Sequence, residues 1–205
     1  MTTEQRLPAR TKYRIRRRWI LQAGCGLVLA GAARGASADD ADDALLPPQE
    51  HDLLVFAFGE RAAQVIVPAD IVAGAAQILA YPMNAVTRRV RDGTRLNQIL
   101  VVRFDPGLLA GATRARSADG IVAYSGVCTH TGCDVTDWYG DVRRFKCPCH
   151  ESEFDPSDGA RVVGGPAPWQ LAALPLRIVA GALTVASPFE GRVGFAQPGL
   201  DGLSP

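Results

Sequence analysis

Cysteine and histidine are scarce in this chain of 205 residues, five of the first and three of the second. Six of them lie within 23 positions. Cys128, His130 and Cys133 fall in CTHTGC; Cys147, Cys149 and His150 fall in CPCHES; thirteen residues separate the two groups. Each group supplies one cysteine, one histidine and a further cysteine, all residue types that ligate soft transition metals. Cys147 and Cys149 flank a single proline and stand too close in sequence to serve one ion together. Three chemistries accommodate the set. Zinc takes four Cys or His ligands tetrahedrally, but C-x-H is an unusual half-site and two cysteines would be left over. Two disulfides would use the cysteines and leave both histidines idle. An iron–sulfur cluster with two cysteines on one iron and two histidines on the other takes one of each per group and leaves one cysteine per group to pair. Only the last accounts for all six residues, with the histidines in parallel places. The third histidine, His51, reads as a solvated polar residue.

The pair C-T-H-x-G-C and C-P-C-H-x-S closely resembles the Rieske iron–sulfur proteins, over about residues 120–188. The resemblance implies one [2Fe–2S] cluster at the tips of two loops, with Cys128 and Cys147 on one iron and His130 and His150 on the other. It implies a disulfide between Cys133 and Cys149, which Rieske ferredoxins and oxygenases usually lack and high-potential carriers have. GPAP, starting at Gly165 and Pro166, resembles the proline loop that covers the cluster in respiratory members. Backbone amides and Ser152 are expected to hydrogen-bond the sulfurs. Neutral imidazoles in place of two thiolates favour reduction, and Rieske potentials run from about −150 to +300 mV.

Three residues depart from the respiratory pattern. Thr131 stands where quinol-oxidising members usually carry leucine on a docking tip. Glu151 replaces a glycine beside His150. Phe154 replaces a tyrosine whose hydroxyl serves a cluster cysteine. The lost hydroxyl and the added carboxylate are both expected to lower the potential, and Phe at this place also resembles the small subunit of arsenite oxidases. The function implied is a one-electron carrier, a component of an oxidoreductase rather than an enzyme by itself. Its host is a quinol–cytochrome c reductase-like complex or an arsenite-oxidase-like molybdoenzyme, and its partner a b- or c-type cytochrome or a molybdenum subunit. A non-redox zinc-binding module is the remote alternative. An oxygenase needs a further iron site of two His and a carboxylate, and only His51 is left to build one.

The elements that must position these loops read as strands. LLVFAF (53–58) and AQVIVP (63–68) suggest a hairpin, NQILVVRF (97–104) and GIVAYSG (120–126) two more strands, and PLRIVAGALTVA (175–186) a hairpin turning at Ala180-Gly181. DIVAGAAQILA (70–80) suggests a short helix capped by Asp70, and 106–120 a loop with one helical turn. With 21 Gly and 14 Pro, the expectation is an all-β fold, a Rieske-type β-sandwich with a cluster-binding subdomain. The expected organisation is an export or anchor segment at 1–38, an acidic linker at 39–51, the Rieske domain at 52–188 and a tail at 189–205.

Charge is distributed unevenly. Residues 1–38 hold eight of the 22 Lys and Arg and one of the 21 Asp and Glu, so the remainder is net negative by six. That balance excludes nucleic-acid binding on charge grounds. Arg17-Arg18, followed by Trp19, Ile20, Leu21 and Gln22, resembles a twin-arginine export signal, a route for folded and cofactor-loaded proteins; Ala36-Ser37-Ala38 is a cleavage site of the right kind. Cys25 inside it is a small apolar filler. The apolar run 19–33 spans about 22 Å, short of the ~30 Å hydrocarbon core. Cleavage, and retention as a membrane anchor through residues 19–38, are both open. The expected location is the periplasm, free or anchored.

Overall fold

The computed structural model describes residues 43–195. Residues 1–38, expected to serve export or anchoring, and residues 196–205 lie outside the described residues. Ten strands dominate: β1 (Leu53–Phe56), β2 (Ile78–Met83), β3 (Ile99–Arg103), β4 (Ile121–Ser125), β5 (Asp137–Tyr139), β6 (Arg144–Lys146), β7 (Glu153–Asp155), β8 (Arg161–Gly164), β9 (Leu176–Val179) and β10 (Ala182–Val185). They form a six-stranded sheet, β4-β3-β2-β1-β10-β9, and a four-stranded sheet, β5-β6-β7-β8. Neighbouring strands are antiparallel throughout. The larger sheet curls until Tyr124 in β4 bridges Ala173, just before β9.

ILVV in β3 and IVAY in β4 are apolar without alternation, and the sheet explains why. Side chains alternate between faces along a strand. Ile99, Val101, Ile121 and Ala123 face the core inside the curled sheet, with Leu54, Ile66 and Leu183. Leu100, Val102, Val122 and Tyr124 face a second core with Phe145, Phe154, Cys128 and Cys147. Both faces are covered, so the strands carry apolar residues on both. Full burial of each such side chain contributes about 1.5–3 kcal/mol. The floor of the cysteine loops is therefore the outer wall of the larger sheet. Tyr124 pins it: its hydroxyl donates to the Pro156 carbonyl at 2.8 Å and its ring meets Phe145 edge-on.

The 176–185 hairpin turns where expected, with Ala180 and Gly181 at φ of 50° and 81°. That pair of left-handed residues is the type I′ geometry that matches strand twist. The short helix α1 (Gly111–Arg116) lies in the 106–120 loop. Two expectations are corrected. Residues 63–68 form no full strand, only the bridge between Val55 and Val65. Residues 70–80 are not a helix. Asp70 ends a single 3₁₀ turn (Pro68–Asp70), accepting from the Val67 amide and pairing with Arg61. Ile71 and Val72 resist helix through their branched Cβ, Gly74 turns the chain at φ +77°, and Ile78 to Ala80 enter β2.

The acidic linker is also more structured than its composition implies. Arg91, 3% exposed, donates through Nε to Asp52 (2.7 Å) and through Nη1 to the Asp43 carbonyl (2.8 Å) and to its carboxylate. Burial alone would lower the Arg91 pKa; the bonds to Asp52 and Asp43 outweigh it and the pKa rises. Asn97 donates to the Leu46 carbonyl and Gly93 to that of Ala44. From Asp43 onward the linker is docked on the domain.

Candidate metal centre

The two cysteine loops repeat one backbone turn. In the first, the Gly132 amide donates to the Cys128 carbonyl and the Cys128 amide to that of Cys133; in the second, Glu151 donates to Cys147 and Cys147 to Ser152. The fifth residue of each is left-handed, Gly132 at φ +79° and Glu151 at +60°. β4 leads into the first loop; β6 and β7 hold the second between paired strands. Side chains fall differently on the shared turn. His130 occupies its third position and His150 its fourth. The histidines are therefore not in parallel places along the chain, contrary to the sequence reading; they are offset by one residue.

They do meet. Nδ1 of His130 lies 3.2 Å from Nδ1 of His150, with the rings edge-to-face and centroids 4.6 Å apart. His130 is half-buried and His150 exposed. Cys133 and Cys149 form a disulfide, while Cys128 and Cys147 are free thiols, each 1% exposed. Burial pushes the Cys128 pKa up and the neighbouring Cys147 adds to this, against hydrogen bonds from the His130 backbone and the Ser152 hydroxyl. The donor set is thus two buried thiols and two imidazole nitrogens that converge on one another. That division suits a cluster with thiolates on one iron and imidazoles on the other. The same Cys2His2 set also fits a single tetrahedral zinc, so donor types alone do not separate the two.

A third loop closes over the second. Gly165 has φ +75°, and a Cβ there would lie 2.5 Å from Ser152 Cα and 2.7 Å from the Glu151 carbonyl oxygen. Only glycine lets the GPAP segment lie this close. The fully buried Ser152 hydroxyl accepts from the Ala167 amide at 3.1 Å. Thr129 donates to the Trp169 carbonyl at 2.5 Å, tying the same segment to the first loop. Pro166 and Thr131 are exposed, Thr131 with its hydroxyl 3.8 Å from Cys133 Sγ.

Phe154 is fully buried in the core with Cys128 and Cys147. Glu151, exposed, pairs with Lys146 at 2.9 Å, and Lys146 also donates to the Tyr139 hydroxyl. Those two hydrogen bonds, Tyr139 first, push the Lys146 pKa up. The carboxylate beside His150 thus comes with its own cation, which offsets the charge that Glu151 adds. Sequence reasoning missed Lys146, Tyr139, Thr129 and Arg95, whose Nη1 donates to the Gly132 carbonyl at 2.5 Å and pairs with Asp134. Nothing in residue type marked them; each reaches the loops by folding alone.

The family model of the Rieske [2Fe-2S] domain matches residues 86–175. The cytochrome bc1 complex Rieske iron-sulfur subunit of Streptomyces lividans is 38% identical over 100 residues, 48% of this chain and 59% of that protein. A putative respiratory nitrate reductase subunit Rieske of Haloferax mediterranei is 39% identical over 113 residues, 54% of this chain and 49% of that one. The chain thus spans only about half the length of these relatives. Among solved structures, the cyanobacterial plasma membrane Rieske protein of Synechocystis PCC 6803 gives a TM-score of 0.40 at 24% identity, over 59% of this chain and 95% of that one.

Proposed function

We propose, on the match of residues 86–175 to the Rieske [2Fe-2S] domain model, that the chain is an exported one-electron carrier, the iron–sulfur subunit of a larger oxidoreductase. A Rieske domain implies one [2Fe–2S] cluster; here Cys128 and Cys147 would hold one iron and His130 and His150 the other. The observation that carries this is the pair of imidazole Nδ1 atoms 3.2 Å apart on the two loops whose first cysteines, Cys128 and Cys147, are buried free thiols. When bound, the cluster supplies one-electron chemistry at a potential above that of plant-type ferredoxins.

The surrounding residues set how that electron is held. Ser152 offers its hydroxyl to Cys128, which favours the reduced form by easing negative charge on sulfur. Phe154 buries an apolar ring where a hydroxyl would give a second such bond. Gly165 and the Cys133–Cys149 disulfide hold the loops together and keep water from the thiols. Half-buried His130 and exposed His150 form the edge at which a partner would take or give the electron.

The host we favour is a quinol–cytochrome c reductase-like complex, supported by the bc1-subunit relative, the disulfide and GPAP. A second reading, a Rieske subunit of another respiratory or periplasmic oxidoreductase such as an arsenite-oxidase-like molybdoenzyme, is supported by Phe154, Thr131 and the relative named for nitrate reductase. We place the domain in the periplasm, free or anchored through residues 19–38. Native purification from membrane and periplasmic fractions tests all three points. Two irons and two acid-labile sulfides per chain, with a paramagnetic signal on reduction, are expected; zinc without sulfide would overturn the reading. A b-type cytochrome or a molybdenum subunit in the same fraction decides the host, and N-terminal sequencing decides cleavage.

A further inference from the structure

We propose that in the cluster-free chain Cys147 exchanges with the Cys133–Cys149 disulfide, so that cluster insertion must precede closure of that disulfide. The sulfur atoms of Cys133, Cys147 and Cys149 all lie within 4.8 Å of one another. Cys147 is the free thiol of the three. A thiolate this close to a disulfide has the partner it needs and requires no external oxidant.

The step balances within the chain. Cys147 loses its proton to water, and its sulfur bonds to Cys133 Sγ. The Cys133–Cys149 bond breaks, and its electron pair leaves on Cys149, which takes a proton from water. One disulfide and the same number of thiols remain. Attack on Cys149 instead would close a ring across Pro148, whose φ is locked, so Cys133 is the productive target. Exposure favours the same direction: Cys149 is exposed and leaves into solvent, whereas Cys147 is buried.

The product has lost one of its four proposed ligands and shows a reactive thiol at the surface. Iron on Cys147 is what prevents this. In this sense the inference rests on the ligand assignment proposed above. It also gives a physical reason for an export route that carries loaded, folded chains: the cluster is then in place before the disulfide-forming compartment is reached.

The test starts from the loaded full-length chain. Iron is removed by chelation without reductant, samples are taken over time, and thiols are trapped with iodoacetamide and mapped by peptide fragmentation. Alkylated Cys149 and a Cys133–Cys147 disulfide are expected to appear in step with iron loss. In full-length chain made without iron and then oxidised, Cys147→Ser should keep the Cys133–Cys149 pairing and Cys128→Ser should still give Cys133–Cys147. Native pairing throughout, with only Cys128 and Cys147 alkylated, overturns the proposal. A second measurement does not depend on the iron-free fold: non-reduced iron-free chain should take up iron and sulfide several-fold less than chain first reduced, and equal uptake counts against exchange. Iron and sulfide analysis of the starting material separates the two ideas. Iron present without exchange sinks this inference alone; exchange without iron in the native protein sinks the ligand reading alone.

Discussion

The two cysteine loops share a backbone and differ in almost everything hung on it. Both close with the same pair of amide bonds, and both need a left-handed fifth residue. The first spends a glycine there; the second places Glu151. The first puts its second cysteine at the end of the turn, the second puts it beside the histidine. The turn is thus a shared carrier, and the two copies differ in where the histidine and the second cysteine sit on it.

The largest expected effect probes where the loops are equal. Cys128→Ser and Cys147→Ser should each abolish acid-labile sulfide, to the same extent. Retention of sulfide in either would break the equivalence. Next comes the glycine contrast. An added methyl at Gly165 meets backbone, so Gly165→Ala should cost about 3 kcal/mol or more in denaturant melts. At Gly132 it meets the Phe195 ring at 2.6 Å, the end of a side chain that can turn, so Gly132→Ala should cost less, about 1–3 kcal/mol. The reverse order would mean that the first loop is the more rigid.

Ser152→Ala leaves the Ala167 amide without its acceptor, at about 1–3 kcal/mol, and should lower the reduction potential. Phe154→Tyr should raise that potential; no rise in a redox titration would count against the role given to the missing hydroxyl. The smallest effect is at the mismatch itself. Glu151→Gly relieves a left-handed residue worth roughly 1 kcal/mol and loses an exposed pair with Lys146 worth at most ~1 kcal/mol. A slightly raised melting temperature is expected, and a clear fall would show that the pair outweighs the strain. A control outside both loops is Asp70. Its hydrogen bond from Arg61 lowers its pKa against a smaller effect of burial. The stability it adds is therefore present above its ordinary value of 3.8 and lost as pH falls through the lowered one; Asp70→Asn should remove that acid dependence and leave the iron content unchanged.

Residue types made the centre legible, because Cys and His are rare enough that six together carry meaning. The disulfide pairing was implied by the family resemblance, and the 180–181 turn by Ala180-Gly181 between two apolar runs. The four-stranded sheet was not: β5, β6 and β7 have three residues each, too few for alternation to register. β2 was hidden behind Ala-rich text whose helical spacing lost to Gly74 and to pairing with β1 and β3. The one-residue offset of the histidines stood in the sequence, C-T-H against C-P-C-H, and became meaningful only once both loops proved to share one turn.

The Arg91 clamp has a practical consequence for anyone trimming this chain. A cut at residue 52, where composition places the domain's edge, would remove Asp43 and leave a buried guanidinium with half its counter-charge. Losing one partner of a buried ion pair typically costs about 3–5 kcal/mol. The stretch that looks most disposable is a fastener, and the scissors belong upstream of residue 43.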